Sequence, residues 1–237
     1  MKSIILAAGF GTRLEEITKN KSKCLLKINK KPIIERVVGK IKNHDIYIIT
    51  NNKFYDDFKK TLSNKIKLIN DNTNTNDERL GAIGDLKFFI DKEKINKADL
   101  LVIGRDNLFE FNIEDFLNYS KDKTCVALYD IKNIEKAKRF GVVQLNDKNK
   151  IINFEEKPKI PKSTLVSTAC YKFKAEDITY YLNKYIKENN NKDNLGNFIK
   201  YLSMKKPVYG YIFKDKWFDI GTKESLKEAE EYYKKLE

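Results

Sequence analysis

The chain opens with a short apolar run, Lys2–Leu6, that passes directly into a glycine-bearing loop, LAAGFGTRL over residues 6–14. An Ile-rich run that ends at once in a loop reads as a strand buried on both faces, as in a parallel sheet. A chain that begins inside its own sheet must bring later strands to both sides of the first one. Apolar runs at residues 46–50, 66–69, 100–103, 124–131, 140–145, 151–154, 165–173 and 208–213 supply them, and residues 25–28 form a further apolar segment. Between several of these runs the apolar residues recur at helical spacing. The first such set is Ile33, Ile34, Val37, Val38 and Ile41, behind a Pro32 that suits a first helical turn. The alternation predicts an α/β fold built on a doubly wound, mostly parallel sheet. With 237 residues, 41% of them hydrophobic, a single domain over residues 1–237 with a sizeable core is expected.

Polar stretches separate the runs. NTNTNDER at residues 72–79 is either a loop beside a ligand cleft or a plain surface connection, NDKNK at residues 146–150 reads as a hairpin turn, and residues 189–194 form a second polar loop. Residues 222–236 read as a charged helix. Its face of Leu226, Ala229, Tyr232, Tyr233 and Leu236 either packs back on the sheet or makes a homo-oligomer contact.

Composition narrows the function classes. No run approaches the roughly 18 apolar residues that a membrane span needs, and the first apolar stretch meets its glycine loop too early for a signal peptide, so a cytoplasmic protein without membrane contact is expected. Cys24, Cys125 and Cys170 form no CxxC pair and lie in apolar surroundings, which predicts buried free thiols. The formal net charge is +13, but the lysines are spread along the chain without a basic block. That pattern argues against nucleic acid and fits general attraction of triphosphates. The one histidine, His44, sits in the polar stretch KNHD, so no Ser-His-Asp or Cys-His arrangement can be built.

The glycine loop carries the strongest chemical signal. Gly9 and Gly11 let the backbone approach a polyphosphate without a Cβ clash, exposed N–H groups can hold phosphate oxygens, and Arg13 adds a planar donor fork. Two glycines also occur in strand-to-helix turns for conformational reasons alone. The loop continues Gly11-Thr12-Arg13-Leu14, without the third glycine of a dinucleotide-binding loop, and no G-x-x-x-x-G-K-[ST] occurs, so dehydrogenase and P-loop readings fail.

Further segments follow in order: SKCLLKI and KPIIERVV close behind the loop, GRDNLFE at residues 104–110, RFGVV at 139–143, FEEKP at 154–158 and WFDIGT at 217–222. With these segments the sequence resembles the sugar nucleotidyltransferases, the group that contains glucose-1-phosphate thymidylyltransferases and uridylyltransferases. The resemblance implies a Rossmann-like nucleotidyltransferase fold with a small antiparallel sugar-binding extension. It implies an NTP and a sugar 1-phosphate as substrates, an NDP-sugar and pyrophosphate as products, and Mg²⁺ as cofactor. It also implies nucleotide contacts at Leu6, Ala8, Gly9, Gly11, Thr12, Arg13, Lys23 and Gly81, and metal ligands at Asp106 and Asp219. Acceptor contacts fall on Gly141, Glu156 and Lys157, and catalytic roles on Arg13, Lys23 and Asp106. Without the resemblance, the same residues read as a helix cap at Asp106, a turn aspartate at Asp219, a solvated turn at Glu156 and Lys157, and a strand bulge at Gly141.

Three positions depart from the family pattern. Arg105 stands where the family commonly has glycine; its side chain points away from the metal site, contacts the triphosphate or weakens metal binding, and of these the outward direction is expected, since a guanidinium is long enough to reach water from a strand end. Ala169 in STACYKF replaces a common glycine, narrowing the sugar pocket. GAIGDL at residues 81–86 lacks the glutamine of the thymidylyltransferase pattern GLAQA, which leaves the base open. The implied reaction is an in-line attack of the sugar-phosphate oxygen on the α-phosphorus. The nucleophile is already an anion, so positioning and charge neutralisation suffice without a general base. Two other functions fit the same residues: transfer to phosphocholine, a phosphonate or a heptose phosphate, or nucleotide binding without turnover if Arg105 disables the metal site. The chain length leads to the expectation of no appended acyltransferase β-helix.

Overall fold

The computed structural model describes residues 1–11, 18, 21–42, 44–189 and 191–236. Its strands are β1 (Lys2–Leu6), β2 (Lys27–Ile28), β3 (Lys31–Pro32), β4 (Asp45–Thr50), β5 (Lys67–Asn70), β6 (Leu100–Gly104), β7 (Asn107–Phe109), β8 (Cys125–Asp130), β9 (Gly141–Leu145), β10 (Ile151–Glu156), β11 (Leu165–Phe173), β12 (Tyr209–Phe213) and β13 (Trp217–Asp219). The α-helices are α1 (Ile33–Val38), α2 (Tyr55–Thr61), α3 (Gly81–Lys92), α4 (Ile113–Tyr119), α5 (Ile134–Ala137), α6 (Leu182–Glu188), α7 (Leu195–Ser203) and α8 (Lys223–Leu236).

The large sheet runs β10-β9-β11-β6-β1-β4-β5, with β8 on β11 and β12 on β8. β5, β4, β1 and β6 are mutually parallel. β11 then reverses direction against β6 and carries both β8 and β9 antiparallel, and β10 folds back on β9. The sheet is therefore mostly parallel, with an antiparallel region at β9, β10 and β11, as the sequence predicts. Asn146 makes the β9–β10 turn, its Oδ1 accepting from the backbone N–H of Lys148 and Lys150 at 3.1 and 2.9 Å.

Burial explains why the parallel strands read as continuous apolar runs. In β1, Ile4 and Leu6 enter one core with Phe89 and Phe198, while Ile5, with Ala7 just beyond the strand, enters the opposite core with Ile34 and Phe116. β6 divides in the same way, Leu100 and Val102 against Leu101 and Ile103. Both faces of the sheet are covered, so neither can be polar.

Several boundaries differ from the sequence pattern. Residues 25–28 split into a 3₁₀ turn, Lys23–Leu25, and the two-residue strand β2, because β2 pairs only with β3. Pro32 lies just outside α1 as its N-cap, and that helix stops at Gly39, leaving Ile41 to pack from the following turn. The apolar face of α8 does not lie on the large sheet. Ala229 and Tyr233 close a third core with Leu26, Ile28, Ile33, Leu108 and Ile220, whereas Leu236 is exposed. Cys24, Cys125 and Cys170 are buried free thiols. Among the described residues no helix is long and apolar enough to cross a membrane.

Candidate functional site

β1, β5 and β6 are parallel-sheet strands whose chains leave toward one edge, at Ala7, Asp71 and Arg105 respectively. The crevice outside the carboxyl ends of such strands is where open α/β sheets hold ligands. A cleft of about 300 Å³ lies there. The strand order divides it. The β1 and β5 side contributes Leu6, Ala8, Gly9, Asp71, Arg79–Ala82 and Asp85; the β9, β10 and β11 side contributes Phe140, Gly141, Glu156, Lys157, Ser167, Ala169 and Tyr171; Gly104, Arg105 and Asp106 stand between them at the end of β6.

The glycine loop is pinned from beneath. The N–H of Ala7 donates to the Ile49 carbonyl at 2.8 Å, and Asn51 Nδ2 donates to the Ala8 carbonyl at 2.8 Å. Gly11 takes a φ of +78°, which favours glycine, and its carbonyl accepts from Thr18 Oγ1 at 2.8 Å.

Asp106 and Asp219 are brought to one place by a short ladder. β13 pairs antiparallel with β7, placing Asp219 opposite Asn107, and the N–H of Ile220 donates to the Asp106 carbonyl at 2.9 Å. Trp217 Nε1 donates to Asn107 Oδ1 at 2.7 Å and fixes the same corner. Lys23 is 2% exposed, and its Nζ lies 3.4 Å from Asp106 Oδ2. Among the described residues no cluster of three His, Cys, Asp or Glu side chains could hold a metal. Two carboxylates facing a cleft nevertheless fit a hard cation that takes its remaining oxygens from phosphates and water.

On the β9, β10 and β11 side, Glu156 sits between two glycines. A Cβ on Gly196 would collide with Glu156 Oε2 and lie 3.0 Å from the Phe154 ring, and one on Gly141 would lie 3.1 Å from the same oxygen. Burial raises the Glu156 carboxyl, while the Lys157 ammonium lowers it again. Lys157 has a φ of +48° and its N–H donates to the Phe140 carbonyl at 3.0 Å. Ala169 has a φ of +53°, at a break in the β11–β8 register between Ser167 and Tyr171. A left-handed turn at that point accounts for the preference for glycine there.

The β1 and β5 side holds two buried carboxyls. Asp71 and Asp85 are each 5% exposed and lie in hydrogen-bonding contact. Burial, then repulsion from Asp71, pushes the Asp85 carboxyl up to about 8, with Arg105 opposing. Thr73 donates to Asp71 Oδ1 from its N–H and its hydroxyl, both at 2.8 Å, which holds Asp71 as the acceptor of the pair. The first turn of α3 is capped by the loop before α7: the N–H groups of Ala82 and Ile83 donate to the carbonyls of Asp193 and Lys192.

Of the residues singled out from sequence, Leu6, Ala8, Gly9, Gly81, Asp106, Gly141, Glu156, Lys157 and Asp219 line this one cleft. Gly11 and Lys23 stand behind its lining, and Thr12 and Arg13 lie outside the described residues. Arg105 overturns the expectation that it points outward. Its guanidinium lies against Gly9, so that a Cβ there would collide with it and lie 2.7 Å from Nη2. The absent side chain of Gly9 leaves a space that the arginine fills. Sequence reasoning missed Asp71, Asp85, Arg79, Arg139, Asp193, Asn194 and Gly196, all in the lining. Some lay in segments already singled out: Arg79 ends the NTNTNDER stretch, Arg139 opens RFGVV, Asp193 and Asn194 belong to the second polar loop, and Asp85 is a carboxylate within the helical apolar pattern of Ile83, Leu86, Phe89 and Ile90.

Comparison with known proteins places these features in a family context. The family model described as nucleotidyl transferase matches residues 2–235. The chain is 34% identical to the bifunctional protein GlmU of Methanocaldococcus jannaschii over 98% of its own length and 54% of that protein. It is 35% identical to the GlmU of Methanococcus maripaludis over 93% of its length and 51% of that protein, so it spans about half of these relatives. Among solved structures, a Bacillus anthracis protein assigned as a glucose-1-phosphate thymidylyltransferase, crystallised with sucrose, superposes with a TM-score of 0.82 at 28% identity. That match covers 98% of this chain and 94% of the other.

Proposed function

The chain belongs to the nucleotidyl transferase family, and we propose that it joins an NTP to a sugar 1-phosphate, releasing an NDP-sugar and pyrophosphate. The observation that carries this reading is the convergence, in one cleft, of the Gly9 loop, the Asp106 and Asp219 pair, and the Glu156 and Lys157 cradle. A donor nucleotide and a phosphorylated acceptor laid along the cleft meet at the two aspartates, which stand between them.

Lys157 would hold the attacking phosphate, and Glu156 would accept hydrogen bonds from sugar hydroxyls. Arg13 would neutralise the leaving pyrophosphate. Lys23 would hold the Asp106 carboxylate before substrate arrives and add positive charge beside the α-phosphate. The attacking oxygen is anionic from the start, so no residue has to remove a proton. Asp106 and Asp219 would hold Mg²⁺, which when bound neutralises phosphate charge. The bond formed joins the acceptor oxygen to the α-phosphorus, and the bond broken releases pyrophosphate with its electron pair.

The test is a matrix of ATP, CTP, GTP, UTP and dTTP against hexose 1-phosphates, with mass detection of NDP-sugar and assay of pyrophosphate. Product in any cell of the matrix supports the reading. Product only with phosphocholine, a phosphonate or a heptose phosphate moves the acceptor class, and nucleotide binding without product in any cell sinks it.

A further inference from the structure

We infer that Arg105 is a ligand for the nucleotide's polyphosphate, taking a phosphate oxygen where its guanidinium lies against Gly9. This rests on the nucleotidyl-transfer reading and adds to it a phosphate contact from a position where the family pattern has glycine.

The main chain at Arg105 is fixed. The Cys24 thiol, held protonated by burial that pushes it up to about 11, donates to the Arg105 carbonyl at 3.3 Å. Asn107 Nδ2 donates to the preceding carbonyl of Gly104 at 3.4 Å. The side chain then runs into the cleft and covers Gly9, and its Nη1 is buried without a hydrogen-bond partner. A guanidinium carries its charge in proteins, and leaving one of its donors buried without a hydrogen bond is costly.

The neighbouring carboxyls do not supply that partner. Asp106 is engaged by Lys23. Asp85, on α3, is within electrostatic reach of Arg105, but burial and Asp71 at the end of β5 keep it largely protonated at neutral pH. Asp85 Oδ1 and Asp71 Oδ2 meet no donor other than the proton the pair shares. Arg105 therefore lies half-buried in the cleft, with one desolvated and unpartnered donor, Nη1, beside a loop whose backbone N–H groups suit phosphate. An anionic, planar-fork acceptor satisfies that arrangement, and a neutral sugar or base does not.

The experiment measures binding of inorganic tripolyphosphate and pyrophosphate, probes that need no knowledge of the base, to the full chain by calorimetry. Wild type, Arg105→Gln and Arg105→Lys are compared, each with its ligand-free unfolding midpoint. Losing a hydrogen bond to a charged group corresponds to about a tenfold to hundredfold weaker tripolyphosphate affinity in Arg105→Gln. Arg105→Lys should fall between the two and carries the test if the amide variant does not fold. A second readout is pH. As Asp85 ionises above about 8, it competes for Arg105 and repels the polyanion, so wild-type affinity should decline there, while Arg105→Gln, with no guanidinium to lose, should decline less. The inference is overturned if wild type binds neither probe, or if Arg105→Gln, or Arg105→Lys in its place, binds tripolyphosphate as well as or more tightly than wild type. The tighter case would make Arg105 a plug over Gly9. Turnover separates the two readings: a wild type that transfers to an acceptor while Arg105→Gln binds unchanged sinks only this inference. A wild type that holds tripolyphosphate through Arg105 but yields no product with any acceptor sinks only the transferase reading.

Discussion

At the proposed acceptor end of the cleft the Glu156 carboxyl lies between Gly141 and Gly196, whereas at the proposed nucleotide end Arg105 fills the space over Gly9 and burial beside Asp71 pushes the Asp85 carboxyl up to about 8. Glycine has opposite uses in the two places. Around Glu156, missing side chains make room for a polar group already on the scaffold, so the pocket has its shape before any ligand arrives. Over Gly9, the missing side chain admits a guanidinium whose buried Nη1 the scaffold leaves without a hydrogen-bond partner. One end is organised by shape and the other by charge still to be neutralised. Substitutions should therefore act through packing and acceptor KM at the first, and through pH and anion binding at the second.

The largest effect should come from what both ends share. Asp106→Asn and Asp219→Asn each remove a charged oxygen from the place where the two proposed substrates would meet, and turnover in Mg²⁺ should fall at least about a hundredfold. Near wild-type turnover in either variant would detach that aspartate from the chemistry. Gly196→Ala tests the acceptor end by filling the space that Glu156 Oε2 and the Phe154 ring occupy. Overpacking of this kind costs about 1–3 kcal/mol of stability. The displaced glutamate should raise the KM for sugar phosphate about tenfold or more while leaving NTP affinity near wild type, which is about 1.4 kcal/mol of lost acceptor binding. Equal loss for both substrates would erase the division between the ends.

Asp85→Asn tests the nucleotide end through linkage. The Asp85 carboxyl is held up to about 8 against an ordinary 3.8, so the folded protein keeps this proton more tightly than the unfolded chain does. Its contribution is complete below the ordinary value and is lost as pH rises toward 8. The variant cannot ionise there. Its thermal midpoint should gain on that of wild type between pH 5 and pH 8, and a constant difference across that range would mean that Asp85 is already ionised in the fold. Ala169→Gly should have the smallest effect. Relief of left-handed strain, about 1–2 kcal/mol, opposes the added freedom of glycine in the unfolded chain, about 0.4–1 kcal/mol. A slight net stabilisation with a lower acceptor KM is expected, and a clear loss of stability would show that the Ala169 methyl is needed for packing.

The parallel half of the fold was legible because β1 and β6 are buried on both faces and cannot hide their apolar runs. Short-range segments such as FEEKP also announced Glu156 and Lys157 as a unit. What stayed out of reach depended on contacts between distant pieces. The direction of Arg105 is set by the open face of Gly9, nearly the length of the parallel half away in sequence, and no spacing rule connects them. Gly196, Asp193 and Asn194 enter the cleft because the loop before α7 caps the first turn of α3. Its polar composition marked only a loop. The seating of α8 was missed for a related reason: its apolar face was visible, but Leu26, Ile28 and Leu108, which receive it, read as parts of other elements.

The ladder between β7 and β13 also sets an order of events during synthesis. The glycine loop and Asp106 leave the ribosome well before Trp217–Asp219, and β7 has no antiparallel partner until that strand follows. Closing such a long loop is entropically expensive and slow compared with forming local contacts. A nascent chain therefore exposes its glycine loop while its second aspartate is still in the exit tunnel, and on the proposed roles the capacity to bind an anion would precede the capacity to catalyse.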